Sequence, residues 1–412
     1  MGPVASPAPS PAFAAELRAV ARARGTPVYV LDRGALDAAC AAVSDAFPDP
    51  VVRQFSVKAN DVPAVIGEVC ARGFGANVVS RGEWARARRV GVPNSRITLE
   101  GVGKTLADLR AAVRAAAEGD PLLWVALESP EEAADLADLA RQAGTRLDVL
   151  YRLNPDVTPE TLPGLAVGAG GSKFGMDETE IGAAIQASGG GGGPLRPRGI
   201  HLHVGSQLGA VDAWRDAVRK GLALTALWRG SIETFDTLDL GGGFPVQAVG
   251  APAPTPARFA RELPALLDAI PADRRPTRLA VEPGRALVAR AGWLVARVLH
   301  VRDRGGPQVV LDAGMTELIR PALYGARHPI MALTSLGQVV EDVGLPVATT
   351  STTSTTSTRV EGPICESTDS LGTHDLPPLR RGDLLAIADA GAYAASQASR
   401  YNGRPLAPTV IR

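Results

Sequence analysis

Between about residues 34 and 290 the chain repeats one pattern, a short apolar run followed by a longer segment rich in Ala, Leu and Arg. Eight such runs stand out: Gln54–Val57, Ala76–Val79, Ile97–Leu99, Leu122–Ala126, Leu147–Leu153, Gly199–His203, Thr237–Leu240 and Arg278–Val281. Each is short, apolar and followed by turn-forming or polar residues, which reads as a buried strand. Helical spacing fills the gaps at Pro63–Arg72, Arg81–Val90, Thr105–Glu118, Glu131–Ala143, Ala213–Leu227 and Pro256–Ala269. Strands that alternate with helices make a parallel sheet, and eight of them close it. The expected class is therefore α/β, a (β/α)8 TIM barrel, with its chemistry at the C-terminal ends of the strands.

The pattern changes near residue 290. Trp293–Val301, Gln308–Leu311, Arg359–Cys365 and Leu384–Ala388 read as strands without long helices between them. With the strand Pro27–Leu31 they predict a second domain, a β-barrel or sandwich built from residues 13–33 and 291–412, leaving 34–290 to the TIM barrel. Residues 1–12, rich in Ala, Pro and Ser, read as a disordered tail. The Ser/Thr run Thr349–Thr358 reads as a flexible connection, with a solvated hairpin as the alternative because Thr favours strands. Lys and Arg number 43 against 43 Asp and Glu, so there is no excess of positive charge to suit nucleic acid or an anionic membrane. Cys40, Cys70 and Cys365 are too few and too scattered for a disulfide framework, and no apolar run reaches membrane-spanning length. A cytoplasmic protein is expected.

The unusual motifs fall at strand ends. Lys58, in Phe55-Ser56-Val57-Lys58-Ala59-Asn60, is one of only four lysines in a chain rich in arginine. A lysine at the end of a buried strand is costly unless it has a use, and the use that needs an amine rather than a guanidinium is an imine to an aldehyde. Gly241-Gly242-Gly243 lets backbone N–H groups converge on an anion, or simply makes a sharp turn, and it lacks the spacing of a dinucleotide fingerprint. Gly205 and Ser206 follow another strand and could add donors. His201 and His203 are read as facing opposite sides, one the barrel interior and one the helix layer, and no metal is expected. Either is a hydrogen-bonded core histidine or a ring stacked on a planar cofactor. Glu282 in Glu282-Pro283-Gly284-Arg285 suits a protonated ring nitrogen or a plain ion pair with Arg285, and Arg285 could hold a carboxylate. Cys365 beside Glu366 is an inert residue or an acid–base thiol.

A lysine imine, a stacking histidine, a glycine cradle for phosphate and a carboxylate under the ring are the parts that pyridoxal 5′-phosphate needs. The chain resembles the fold type III pyridoxal-phosphate decarboxylases from about Pro27 to Leu406, most of all the diaminopimelate decarboxylase branch, with ornithine and arginine decarboxylases as relatives. The segments that carry the resemblance include Ser56–Asn60, Val78–Glu83, Arg152–Val157, Ser172–Gly175, His203–Leu208, the triple glycine, Glu282–Arg285, Arg320–Tyr324, Cys365-Glu366 with Asp369, Gly391–Tyr393 and Tyr401–Pro405. It implies that Lys58 carries the cofactor and that His203 stacks on its ring. Ser206, Gly243, Gly284, Arg285 and Tyr393 hold the phosphate, and Glu282 keeps the ring nitrogen protonated. Arg285, Arg320 and Tyr324 grip substrate carboxylates. Cys365 returns a proton to carbon and Glu366 contacts the distal amino group, both from the second subunit of a homodimer.

The sequence departs from the family pattern at Asn77, at Leu162-Pro163-Gly164-Leu165, at Thr368 and at Gly241–Pro245, which reads more like the ornithine decarboxylase side. The implied activity is α-decarboxylation of a diamino acid, foremost meso-diaminopimelate to L-lysine. The alternatives are a decarboxylase of a related amino acid of the ornithine or lysine type or of a specialised-metabolite precursor, an amino-acid racemase, and a non-catalytic cofactor-binding protein. Glu282 argues against the racemase, and the survival of Lys58, Cys365 and the β domain against the last.

Overall fold

The structure is a computed structural model that describes residues 8–161, 166–246, 253–340 and 355–412. The departure at Leu162–Leu165, the first seven residues of the expected tail and residues 349–354 of the Ser/Thr run lie outside them. The chain divides into two compact units, one of residues 39–245 and 253–286, the other of residues 1–38, 246–252 and 287–412.

The first unit holds a closed barrel of eight strands, Val52–Ser56, Gly75–Val78, Ile97–Leu99, Trp124–Leu127, Leu147–Leu153, Leu195–Leu202, Thr237–Asp239 and Arg278–Val281. Each pairs in parallel with the next, and Val52 opposite Ala280 closes the ring. Capping side chains start the intervening helices. Ser80 accepts from the Glu83 N–H before Arg81–Arg89, and Ser129 from the Glu132 N–H before Pro130–Gln142. Thr105 with Asp108 forms a reciprocal capping box for Leu106–Ala117. Asp177 with Glu180 does the same for Glu178–Ala187, a helix that sequence periodicity missed. The single helix expected over Pro256–Ala269 is two short ones, Pro256–Ala260 and Leu263–Asp268; Pro264, at the start of the second, has no N–H to continue a helix through it.

Along a strand every second side chain shares a face. Trp124, Ala126, Leu150 and Ala280 form an apolar cluster with Val52 packed against it. Two residues past Ala126, Leu150 and Ala280 stand Glu128, Arg152 and Glu282, all buried. The barrel interior thus turns from apolar to charged as the strands approach their C-terminal ends.

The second unit is built on a sheet in the order Ile330–Ala332, Leu384–Ile387, Gly292–Asp303, Pro307–Leu311, Thr356–Glu361, Ser370–Leu376. Val28–Leu31 adds to it antiparallel to Gly292–Asp303 and parallel to Thr409–Ile411. The expected tail ends before residue 12. A helix over Pro11–Arg24 begins at a Ser10 cap and buries Ala14, Leu17, Val20 and Ala21 against Val28, Val30, Trp293 and Val295. Its apolar face outweighs the local Pro/Ala/Ser composition that suggested disorder. The end of the Ser/Thr run is strand, with Thr356 opposite Leu376 and Thr358 opposite His374. The strand expected to reach Cys365 stops at Glu361. Among the described residues no helix is long and apolar enough to cross a membrane.

Candidate active site

The strand before Lys58 ends at Ser56, one residue earlier than expected, and a 3-10 turn over Val57–Ala59 carries the half-buried lysine. The Asn60 N–H donates to Val57 O at 2.9 Å and closes the turn. The Ser56 N–H donates to Pro283 O at 3.1 Å, and the Ser56 hydroxyl to Glu282 O at 3.3 Å. The lysine turn and the Glu-Pro-Gly-Arg turn are therefore one hydrogen-bonded piece. A side chain at Gly284 would bring its Cβ to 3.0 Å from Ser56 Cβ and 3.1 Å from Ala59 Cβ, so the two turns meet closely and anything larger than glycine would have to push them apart by a few tenths of an ångström.

The triple glycine answers a backbone demand. Gly241 and Gly243 have φ of 69° and 93°, the left-handed region that glycine enters without strain. A Cβ at Gly242 would lie 2.4 Å from Glu282 O, and one at Gly243 2.5 Å from Gly205 O. The chain is thus packed glycine against strand end on both sides. Arg285, buried, donates from Nη2 to Ser206 Oγ at 3.2 Å. Glycine backbone, a hydroxyl and a guanidinium at neighbouring strand ends make the kind of concavity that holds a phosphate.

The two histidines correct the sequence reading. Side chains alternate with a period of two, so residues 201 and 203 share a face rather than opposing one another. His201 lies in the barrel interior, its Nε2 3.4 Å from Glu282 Oε1 and 3.6 Å from Glu100 Oε2. His203 lies just past the strand, where its Nδ1 accepts the Gly242 N–H at 3.3 Å. Burial pushes His201 down to about 4 and His203 well below the usual histidine value, the Lys58 charge adding to both. Both rings are neutral at pH 7, and the Gly242 bond leaves His203 its proton on Nε2.

Two further residues join Glu282 that sequence reading did not single out. Glu100 is buried at the end of its strand, and its Oε2 accepts from Asn77 Nδ2 at 2.9 Å. Asp239 is buried one strand before Glu282, and its Oδ1 accepts from the Gly241 N–H at 2.9 Å. Burial and then the Glu282 charge push Glu100 up to about 8 and Asp239 well above the usual carboxyl range. One donor atom each of Glu100, His201 and Glu282 lie within 4.8 Å of one another, a cluster that the absence of any metal motif in the sequence did not foresee. Opposite them Arg152 pairs with Glu128 and covers the Phe174 ring at 4.9 Å, while the Gly175 N–H donates to Glu128 at 2.9 Å. The signal that could have found Glu100, Glu128, Arg152 and Asp239 is their step of two along an inward row.

Of the residues singled out from sequence, Lys58, His203, Ser206, Gly243, Glu282, Gly284 and Arg285 belong to the barrel unit, and Arg320, Tyr324, Cys365, Glu366 and Tyr393 to the β-rich unit. Cys365 is exposed, and its Sγ accepts from Asn402 Nδ2 at 3.2 Å. Tyr401 donates its hydroxyl to Glu366 Oε1 at 2.6 Å, which raises the phenol above its ordinary range. Asp369 fixes their loop by accepting from the Met315 N–H at 2.5 Å and the Ile364 N–H at 2.7 Å. Arg320 opens a short helix that ends at Tyr324, and its Nη1 meets His328 Nε2 at 3.1 Å. His328 Nδ1 faces the acceptor-only Ala388 O at 3.0 Å, so the ring donates there and accepts from the guanidinium. Tyr393 sits at φ 57°, in the left-handed region.

The chain matches the family model of pyridoxal-dependent decarboxylases, pyridoxal-binding domain, over residues 33–289. It is 33% identical over 404 residues to the diaminopimelate decarboxylase of Aquifex aeolicus, covering 96% of this chain and 88% of that one. It is 32% identical over 394 residues to the diaminopimelate decarboxylase of Archaeoglobus fulgidus, with 95% and 89% covered. In structure it is similar to Helicobacter pylori diaminopimelate decarboxylase complexed with L-lysine, with a TM-score of 0.84 at 28% identity over 96% and 93% of the two chains. The fold, at 22% identity and a TM-score of 0.78, is also that of Vibrio vulnificus lysine/ornithine decarboxylase, with 97% of this chain and 98% of that one covered.

Proposed function

The chain belongs to the pyridoxal-dependent decarboxylase family and is a pyridoxal-phosphate amino-acid decarboxylase, and from that premise we propose that it takes the α-carboxylate from meso-diaminopimelate to give L-lysine. The observation that carries the substrate is the extent of the likeness, 33% identity over 96% of this chain to a diaminopimelate decarboxylase. The diaminopimelate decarboxylases of Helicobacter pylori and M. jannaschii are complexed with L-lysine, the product expected here.

The residues present fit the cofactor. Glu282 Oε1 is buried and has no hydrogen-bond partner among the described residues, as an acceptor kept for a ring N–H would be. The glycine cradle has no space for side chains. When bound, pyridoxal phosphate supplies the electron sink for the pair released from the Cα–carboxylate bond. Lys58 would hold it covalently, and Gly243, Ser206, Gly284 and Arg285, with Tyr393, its phosphate. His203, neutral and fixed by Gly242, would lie against the ring, and Glu282 would hold the proton on its nitrogen. Arg285, Arg320 and Tyr324 would orient the substrate carboxylates, and Glu366 the distal amine. The Cys365 thiol would return a proton to Cα.

The test is a panel of meso-diaminopimelate and both enantiomers of ornithine and lysine, followed by carbon dioxide release. Turnover of meso-diaminopimelate should exceed that of every other member, with L-lysine as product. A preference for ornithine would move the protein to the other branch of the family.

Cys365 and Glu366 would serve the site of a neighbouring subunit in a two-fold dimer. Lys58→Ala and Cys365→Ala chains should each be nearly inactive alone. Mixed under subunit exchange they should recover to about one quarter of wild-type specific activity, because half the dimers are hybrid and each hybrid has one intact site of two. No recovery despite proven exchange would place the whole site within one chain.

A further inference from the structure

The interior of the barrel holds more acid than the proposed reaction assigns. Glu100, Asp239 and Glu282 come from three different strand ends and are buried together with His201. Glu100 Oε1, Asp239 Oδ2 and Glu282 Oε1 have no hydrogen-bond partner among the described residues, and neither has either nitrogen of His201. Carboxylates only accept, so two of them that face each other away from water repel unless a proton lies between. The groups that face Glu100 are Asn77 from the preceding strand, His201, Glu282 and the Lys58 charge. Those that face Asp239 are Glu282, Glu100 and the Gly241 N–H. Among the described residues Glu100 and Glu282 lie within ion-pair distance of His201, whose ring is neutral at pH 7, and that contact does not neutralise three negative charges. Asn77 occupies Oε2 of Glu100 as a donor, which leaves Oε1 as the place for the proton.

We infer that Glu100 is a positioning residue, a protonated carboxyl that donates to Glu282 and so aims the Glu282 carboxylate at the cofactor's ring nitrogen. This rests on Glu282 serving that nitrogen, as proposed above. Asp239 supports Glu282 from the other side in the same protonated form. Each acid then acts as a neutral donor to one charge, and the cluster keeps a single negative charge for a single ring N–H.

The variant that decides it is Glu100→Gln, which keeps an acceptor for Asn77 and an N–H for Glu282 but cannot ionise. In the wild type, Glu100 titrates near 8 in the folded chain and near its ordinary 4.5 when unfolded. The folded form alone holds the proton between those values, so stability is full below pH about 4.5 and is lost as pH rises towards about 8. Asp239 tilts both curves the same way, and His201, held neutral down to about pH 4, tilts both the opposite way below its ordinary value. Because the Glu100 charge raises both groups, the difference between the curves carries the Glu100 proton together with its coupling to these two. The melting temperature of the full chain, measured with and without added pyridoxal phosphate, should therefore favour Glu100→Gln by a margin that grows from pH 5 to 8 and then levels. The holoenzyme's kcat should fall in the wild type above pH 8 and hold in Glu100→Gln. At pH 7 Glu100→Gln should stay within about threefold of wild type, and Glu100→Met, which has no donor, should lose on the order of tenfold in kcat with KM little changed.

A margin that does not change with pH overturns the proton on Glu100. A margin that changes while the alkaline fall of kcat persists in Glu100→Gln overturns its link to Glu282. A rise in melting temperature with added Zn²⁺ or Mn²⁺ that Glu100→Gln abolishes overturns the inference in favour of a cation among Glu100, His201 and Glu282. The melting arm needs no substrate, so failure to turn over meso-diaminopimelate counts against the proposed substrate and not against Glu100.

Discussion

Lys58→Ala abolishes turnover, with a loss on the order of a thousandfold or more, and removes the visible absorbance of protein-bound cofactor. A group that makes a covalent bond cannot be replaced by its neighbours, and losing a factor of a thousand corresponds to about 4 kcal/mol of barrier. The other three lysines are engaged elsewhere. Lys104 Nζ donates to Gly101 O at 2.6 Å and pairs with Glu132 at 3.1 Å. Lys220 donates to Pro155 O at 2.5 Å from the middle of a helix, and Lys173 lies 5.3 Å from the Phe174 ring. Only Lys58 stands on the turn bonded to the Glu282-Pro283 segment. Borohydride treatment followed by peptide mass spectrometry checks the assignment: cofactor mass should appear on the peptide that contains Lys58 in the wild type and nowhere in the variant. A reducible link that survives in Lys58→Ala would give the covalent role to another amine.

The barrel was legible because parallel strands buried on both faces read as continuous apolar runs, and helices between them carry caps. Ile97–Leu99 and Leu147–Leu153 were read with the boundaries that the structure has. The strand Leu195–Leu202 begins four residues earlier than read, because Pro197 and the extended Gly199 break the apolar pattern without breaking the sheet. The β-rich unit was harder. Ser370–Leu376 contains Gly372, at φ 93°, together with His374 and Asp375, and only its pairing with Thr356–Glu361 makes it a strand. Ile330–Ala332 and Thr409–Ile411 are three residues each and, unlike the equally short Ile97–Leu99, stand outside the strand–helix alternation that marks the barrel's strands.

The site splits along the same line. Lys58, the triple glycine and Glu282-Pro283-Gly284-Arg285 are local motifs whose oddity shows in the chain itself. Glu100 shows nothing locally, since an acid after a short strand is the commonest of surface residues, and Asp239 is a single acid within the run Thr237–Leu240. They become a cluster only when the barrel closes and the inward rows of separate strands converge. The mistaken opposition of His201 and His203 had hidden that convergence, because a period of two places every second residue in the same row. Once the row is drawn correctly, the apolar-to-charged step at Ala126/Glu128, Leu150/Arg152 and Ala280/Glu282 is readable from the sequence as the floor of a site.

Glu282→Gln lowers kcat by on the order of 100-fold or more, about 2.7 kcal/mol, while cofactor affinity changes far less. The two quantities separate because different parts of the barrel mouth serve them. Gly241–Gly243 and the Arg285–Ser206 pair are untouched by the change and would remain as the proposed phosphate cradle. In the proposed role the carboxylate would stabilise positive charge on the cofactor's ring nitrogen, a stabilisation needed more in the transition state than in the bound ground state. An amide offers a neutral dipole in the same volume, so packing is preserved and the loss is electrostatic. The neighbours respond in a direction that can be read. The Glu282 charge helps to raise both Glu100 and Asp239, so its removal lowers both. Equilibrium dialysis of the cofactor with steady-state kinetics separates binding from rate. A parallel fall in affinity and kcat would make Glu282 a binding residue, and an unchanged kcat would leave the ring nitrogen without a counter-charge in this barrel.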